Sequence, residues 1–196
     1  MESEIEIKLK IVNFGQILQK LMHIGCLRIY DFQFEDNFLY DFHDLSLKER
    51  GVILRIREYG KKFTVTLKEK IHDDPLYKIH SETEVQIDDP AAAKMIFEAL
   101  GLRVIYRYQK YRAEYKVGDL SVFIDKTPVG DFIELEGAKE DIDARAEQLG
   151  YSKHDYINIS YRAYHINYLK ERGLPPSDML FAARGKEGPD LEEKQR

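Results

Sequence analysis

The sequence predicts an α+β protein whose centre is a closed antiparallel β-barrel with helices packed on its outside. Three observations lead there. The stretch Glu4-Ile5-Glu6-Ile7-Lys8, continued by Leu9-Lys10-Ile11, alternates with a period of two, placing Glu4, Glu6, Lys8 and Lys10 on one face and four aliphatic residues on the other. One such strand fits any sheet with a wet side, but the partition recurs in Leu54-Arg55-Ile56-Arg57, in Thr64, Thr66 and Lys68 against Phe63, Val65 and Leu67, and in residues 78–87. The intervening helices carry apolar faces that need a dry partner, so the aliphatic side of the sheet faces outward and the charged side inward.

Taken in order, the first strand is followed by a helix over residues 14–24, capped by Asn13, stopped by Gly25, with Phe14, Ile17, Leu18, Leu21 and Met22 on one face. Residues 28–42 are too aromatic and too regularly alternating for a helix and read as a strand, bulged near Asp36-Asn37. A charged turn from His43 to Gly51 leads to the strand carrying Arg55 and Arg57, and Gly60-Lys61 turns the chain into the next. After a loop around Pro75, residues 78–87 set Lys78, His80, Glu82, Glu84 and Gln86 on one face. Asp88-Asp89-Pro90 opens a helix with Ile96, Phe97 and Leu100 before Gly101.

Four further strands follow, over residues 103–108, 110–116, 120–125 and 132–136, with Lys110 and Arg112, then Glu134 and Glu136, again two apart. Asp141 or Asp143 opens a third helix ending near Gly150, and residues 155–171 read as a strand edge or a tyrosine-rich helix. From Arg184 the composition of Gly, Pro, Lys and Glu is that of a disordered tail. The expected organisation is one domain over residues 1–172 and an extension over 173–196.

Length and charge narrow the function. A chain of 196 residues with a formal net charge of −5 has room for one large domain and lacks the basic surface of a general nucleic-acid binder. The single cysteine, Cys26, lies among apolar residues and suits a buried thiol. Neither a signal-like N-terminus nor a run of roughly 18 apolar residues occurs, so the expected location is the cytoplasm, away from membranes. His43, His72 and His80 lack metal-ligand spacing, and no glycine-rich phosphate loop is present. Any phosphate must be gripped by side chains.

The inward-facing set is Lys8, Arg55, Arg57, Lys68, Lys110 and Arg112 with Glu4, Glu6, Glu82, Glu84, Asp125, Glu134 and Glu136. Such a density of charge in a confined lumen is costly unless paired. A polyphosphate with a divalent cation answers both signs, since carboxylates supply hard oxygen ligands for Mg²⁺ or Mn²⁺ while Arg and Lys hold phosphate oxygens.

These residues carry a resemblance. The Glu-x-Glu-x-Lys opening, Leu-Arg-Ile-Arg, Glu82-x-Glu84, Lys110-x-Arg112 and Asp125 followed by Gly130-Asp131-Phe132-Ile133-Glu134-Leu135-Glu136 resemble, in order over residues 1–165, the CYTH superfamily of triphosphate tunnel enzymes. The resemblance implies an eight-stranded tunnel, Glu4, Glu6 and Glu136 as metal ligands with Glu82, Glu84, Asp125 and Glu134 close by, and Lys8, Arg55, Arg57, Lys68, Lys110 and Arg112 as the phosphate-binding cations. Glu4, Glu6 and Lys8 are the residues on which catalysis is expected to turn. Residues 149–161 are most similar to the class IV adenylyl cyclase branch, which implies conversion of ATP to cyclic AMP and pyrophosphate. A triphosphatase acting on inorganic, nucleoside or thiamine triphosphate fits the same tunnel, as does a polyphosphate-binding module without turnover. For a nucleoside, Phe32, Phe34, Phe38, Tyr40 and Tyr161 are candidate wall residues, although most of them read first as outer core. The oligomeric state stays open, a homodimer included.

Overall fold

A computed structural model describes residues 3–182. Its eight strands are β1 (Ser3–Lys10), β2 (Leu27–Asp41), β3 (Val52–Tyr59), β4 (Lys62–Lys70), β5 (Lys78–Ile87), β6 (Arg103–Val117), β7 (Leu120–Thr127) and β8 (Gly130–Glu136). They close into an antiparallel barrel in the order β1-β5-β4-β3-β2-β6-β7-β8. Helices α1 (Phe14–His23), α2 (Ser46–Glu49), α3 (Pro90–Ala99), α4 (Lys139–Gln148) and α5 (Tyr161–Glu171) complete the described residues with a 3₁₀ turn at Lys153–Asp155.

The dry side of the sheet is the outside, as the alternation predicts. Ile7, Leu9, Val122, Ile124, Ile133 and Leu135 are buried with Ile17 and Leu21 of α1 and Ile142 and Ala146 of α4. Each full burial of such an aliphatic side chain contributes about 1.5–3 kcal/mol, which is what fixes the barrel's polarity. A second outer cluster places Ile56, Leu54 and Val65 against Phe97 of α3. A third cluster, built on Tyr106, Tyr108, Phe132, Tyr161 and Met179, lies on the lumen side, since its strand residues share the parity of Lys110, Arg112 and Glu134, and it seats the start of α5 over the cavity.

Helix starts follow their caps. The Asn13 side chain accepts from the Gln16 N–H, Asp89 from Ala92 with Pro90 in the first turn, and Ser160 from Ala163. The β3–β4 hairpin turns on Gly60, whose φ of 60° is in the left-handed region and whose missing Cβ makes room for the Gln33 side chain.

Several boundaries differ from expectation. Residues 103–117 form one strand, because β6 pairs with β2 along nearly its whole length and Gln109 stays in the ladder opposite Asp36. The irregularities of β2 lie at Arg28/Tyr30, Tyr30/Gln33 and Leu39/Tyr40, not at Asp36-Asn37, which remain in register with both neighbours. Helix α4 begins at Lys139, before Asp141, so that Glu140 and Asp141 sit in its first turn where acidic side chains favour the helix dipole. The turn after His43 contains the short α2, with the Asp41 carboxylate accepting from the Leu47 and Lys48 N–H groups.

Residues 155–171 resolve into the 3₁₀ turn, a bridge from Ile157 to Lys8, and α5. On α3, Ala93 and Phe97 pack against the barrel, while Ile96 and Leu100 are exposed. Cys26 is half-buried beside the first cluster, where burial pushes its thiol pKa up. Within the extension, Met179 is buried and lies parallel to β6, its N–H donating to the Arg107 carbonyl and its carbonyl accepting from the Gln109 N–H. The tail expected from residue 184 falls outside the described residues.

Candidate active site

The register that closes the barrel also assembles the lumen. Glu6 stands opposite Glu136 and Lys78, Lys8 opposite Glu134, Lys68 opposite Glu82, Arg112 opposite Asp125, and Glu35 opposite Lys110. Every cation and anion assigned to the interior from the sequence is found there. All but Asp125 line one cavity of about 810 Å³, which falls within the range of small-molecule sites. Asp125 lies directly behind it, fully buried and bonded to two lining cations.

The anions divide by how well they are already satisfied. Asp125 Oδ2 accepts from Lys110 Nζ at 2.9 Å, Arg112 Nη2 at 2.6 Å and the Tyr161 hydroxyl at 2.7 Å, while its Oδ1 takes Arg112 Nε at 2.7 Å. Glu134 is held by Arg112 and, at 3.2 Å, by Lys8. Burial works against its charge, but Arg112 and Lys8 outweigh burial and keep its carboxyl well below the usual range. With their oxygens so occupied, Asp125 and Glu134 fix Lys8, Lys110 and Arg112 in place.

Glu6 Oε1 sits between Lys8 and Lys78, each at 2.8 Å. Glu4 and Glu82 share Lys68, the latter at 2.7 Å, and Glu84 accepts from Arg57 at 2.6 Å and from the Thr66 hydroxyl at 2.7 Å. Arg55 donates to the Tyr108 hydroxyl at 3.2 Å and to Thr66 Oγ1 at 3.3 Å.

Glu136 is the exception: no cation lies within ion-pair distance of it among the described residues, and Glu4 and Glu6 crowd it. Burial first, then Glu4, raises its carboxyl to about 8. Glu4 is raised as well, by burial and then by Glu6 against the pull of Lys68. This corner of the lumen is short of positive charge.

A divalent cation suits that corner. Glu4, Glu6 and Glu136 offer hard oxygen donors where negative charge exceeds its partners. Among the described residues no three acidic, His or Cys side chains are drawn into a ready-made cage, so a cation entering here would displace Lys68 and Lys78 from carboxylate oxygens. The sign of the Glu136 shift gives an expected result. Between pH about 4.5 and about 8 the folded state holds a proton at Glu136 that the unfolded state has lost, so this group's stabilising contribution falls as pH rises through that window. Melting temperatures of wild type and Glu136→Gln, measured from pH 4 to pH 9, should therefore diverge in the variant's favour as pH rises; parallel curves would remove this account of the corner.

Two site residues are absent from the expected inward set. Lys78 reaches Glu6, and its position on the charged face of residues 78–87 was the available signal. Glu35 is fully buried and lines the cavity; the alternation Gln33, Glu35, Asn37 marks it, behind the more conspicuous aromatic face of the same strand. Of the aromatic wall candidates, Phe32 packs with Phe14, Phe34 with Tyr111, and Phe38 with the α3 cluster. They face outward by the same alternation that turns Glu35 inward. Tyr40 borders the cavity but its ring meets Phe97 edge-on in the outer cluster, leaving Tyr161 beside Lys8 and Lys110, 4.9 Å from Lys110 Nζ to its ring centre. His80 also borders the cavity, held neutral by burial and by Lys78, which lower it to about 4.

A model of the CYTH domain matches residues 2–161. The chain belongs to the CYTH domain family. Among curated CYTH relatives, "Putative adenylate cyclase MJ0240" of Methanocaldococcus jannaschii is 32% identical over 176 residues, covering 87% of this chain and 99% of that protein. A Vibrio parahaemolyticus structure described as a "putative adenylate cyclase" shares the fold with a TM-score of 0.75 at 21% identity, over 84% of this chain and 98% of that one. A Hippeastrum structure, a "putative adenylyl cyclase" described as having a dominant triphosphatase activity, aligns with a TM-score of 0.53 at 18% identity, over 93% and 92% of the two chains. In all three cases this chain aligns over more than nine-tenths of the compared protein. No helix among the described residues is long and apolar enough to cross a membrane.

Proposed function

We propose that this CYTH protein is a divalent-cation-dependent enzyme that binds ATP by its triphosphate in the barrel lumen and converts it to cyclic AMP and pyrophosphate. The observation that carries the reading is the pairing of a row of lumen cations with the undercompensated Glu4–Glu136 corner. A bound Mg²⁺ or Mn²⁺ at Glu4, Glu6 and Glu136 would neutralise charge on the leaving oxygens. Lys68 and Lys78, which hold those carboxylates here, would then be free to join Arg55 and Arg57 in holding phosphate oxygens. Lys8 on β1 and Lys110 and Arg112 on β6 would hold further phosphate oxygens, kept in position by Glu134 and Asp125. The curated relative's name supports cyclisation as the reaction.

Hydrolysis of a triphosphate is the second reading, and the lining favours it in one respect: every assigned contact in the lumen is to phosphate or metal, so nothing in it requires a nucleoside. Both reactions rest on in-line positioning and charge neutralisation, and differ in which phosphorus meets which hydroxyl. Incubation with ATP, thiamine triphosphate and tripolyphosphate, each with Mg²⁺ and with Mn²⁺, and identification of the products by ³¹P NMR separates them. Cyclic AMP with pyrophosphate is the expected result from ATP. Orthophosphate from tripolyphosphate, with no cyclic product from ATP, would replace the cyclase by a triphosphatase; no product from any of them would leave a binding module.

A further inference from the structure

Glu35 on β2 has a carboxylate oxygen that meets no hydrogen-bond donor among the described residues. The residue has no exposed surface, yet it borders the lumen cavity. The Asn37 side-chain amide, itself fully buried, donates to Oε1 at 3.0 Å and fixes the carboxylate's orientation. Oε2 accepts no hydrogen bond among the described residues.

Charge balance for the neighbouring cations does not account for this residue. Lys110 Nζ is 3.6 Å from Oε1 and Arg112 Nε is 3.9 Å from Oε2, both beyond hydrogen-bond reach, and the same two side chains bond Asp125 at 2.6–2.9 Å. A buried carboxylate oxygen without a donor is costly. Burial disfavours its charge, but Lys110 and Arg112 outweigh burial and lower the carboxyl to about 2, so the acceptor is ionised at any working pH. A phosphate oxygen would be repelled there, whereas a hydroxyl supplies the donor that Oε2 lacks.

We propose that Glu35 Oε2 accepts the hydrogen bond of the attacking hydroxyl, from a ribose or from water, and takes its proton in the triphosphate reaction described above, on which this assignment rests. The hydroxyl oxygen forms a bond to phosphorus as the bond from that phosphorus to the bridging oxygen breaks. The bond pair stays on the leaving group, which is pyrophosphate in cyclisation of ATP or hydrolysis of tripolyphosphate and ADP in hydrolysis of ATP, and the proton passes to Oε2 and later to solvent. In phosphoryl transfer through a loose transition state the proton leaves late, so orientation matters more than high basicity. Lys110 and Arg112, beside the carboxylate and facing the phosphates, bring the two reactants to one wall.

The test uses the full chain with Mg²⁺ or Mn²⁺, comparing wild type, Glu35→Gln and Glu35→Asp for turnover of ATP and tripolyphosphate. Melting temperature with and without tripolyphosphate reports folding and binding. Glu35→Gln removes the proton acceptor at constant size; Glu35→Asp keeps the charge but withdraws it by one methylene. Both variants are expected to keep the tripolyphosphate shift and to lose about 100-fold in kcat with little change in KM. A cyclic product from ATP in the wild type identifies the ribose hydroxyl as the group oriented, and orthophosphate identifies water. Wild-type kcat in Glu35→Gln, or in Glu35→Asp should the glutamine variant not fold, would overturn the assignment while leaving the parent reading intact. A wild type that turns over neither compound would overturn the parent reading itself.

Discussion

Glu4→Gln is expected to lower triphosphate turnover by about 10²- to 10³-fold, the range typical for loss of a group that stabilises charge in the transition state, while leaving the protein at least as stable as the wild type. Glu4 has only Lys68 as its cation, and Lys68 retains Glu82 at 2.7 Å when Glu4 is neutralised. Removing the charge also relieves Glu136, whose raised carboxyl owes part of its shift to Glu4. Glu6→Gln should lose activity to the same degree but fold less stably. Glu6 is buried and serves two lysines at 2.8 Å; only Lys8 has a second carboxylate, Glu134 at 3.2 Å. Initial rates at saturating metal, with melting temperatures on the same samples, check both halves. Full activity in the two variants, or in excess EDTA, would remove Glu4 and Glu6 from the metal site.

Arg57→Ala and Lys110→Ala should each weaken triphosphate binding by about 10- to 100-fold, since a hydrogen bond to a charged group contributes about 1.5–3 kcal/mol. Neither should unfold the protein. Arg57 pairs with a partly exposed Glu84 that keeps the Thr66 hydroxyl as a donor. Without Lys110, Asp125 still has both Arg112 nitrogens and the Tyr161 hydroxyl. Arg112→Ala is the contrasting case, because it strips donors from Asp125 and Glu134 together and leaves buried charge unpaired, a loss of about 3–5 kcal/mol. Equilibrium binding of tripolyphosphate and thermal denaturation of the three variants separate ligand contacts from structural ones. Equal affinity in Arg57→Ala and wild type would exclude that arginine from the phosphate path.

The barrel and its polarity were legible because they follow from a period of two. Once Ile5, Ile7 and Leu9 are assigned to helices outside, Glu4, Glu6 and Lys8 have only the lumen to face. The same rule would have turned Glu35 inward, but its strand also carries Phe32, Phe34 and Phe38, and a conspicuous aromatic face drew attention from a single carboxylate. Strand and helix boundaries were less legible, because tertiary pairing sets them. Gln109 continues β6 since β2 runs opposite it, and Lys139 starts α4 although no side chain caps that end. The docking of Met179 on β6 has no local signal, as it depends on an edge exposed where β7 ends. How the acids divide between cation-poor and cation-holding positions is likewise a matter of three-dimensional neighbours: Asp125 and Glu136 look alike in the sequence, but Asp125 has four donor contacts while Glu136 has no cation within ion-pair distance among the described residues.

Titration calorimetry of the wild-type protein with tripolyphosphate in the presence of Mg²⁺ tests the central claim most directly, since it needs neither a nucleoside nor turnover. A triphosphate seated among Lys8, Arg55, Arg57, Lys68, Lys110 and Arg112 should bind saturably at one site per chain, more weakly as salt screens the lumen charges, and more weakly again in Arg57→Ala and Lys110→Ala. No saturable heat from the folded wild type, or affinity unchanged in both variants, would contradict a triphosphate site in this barrel.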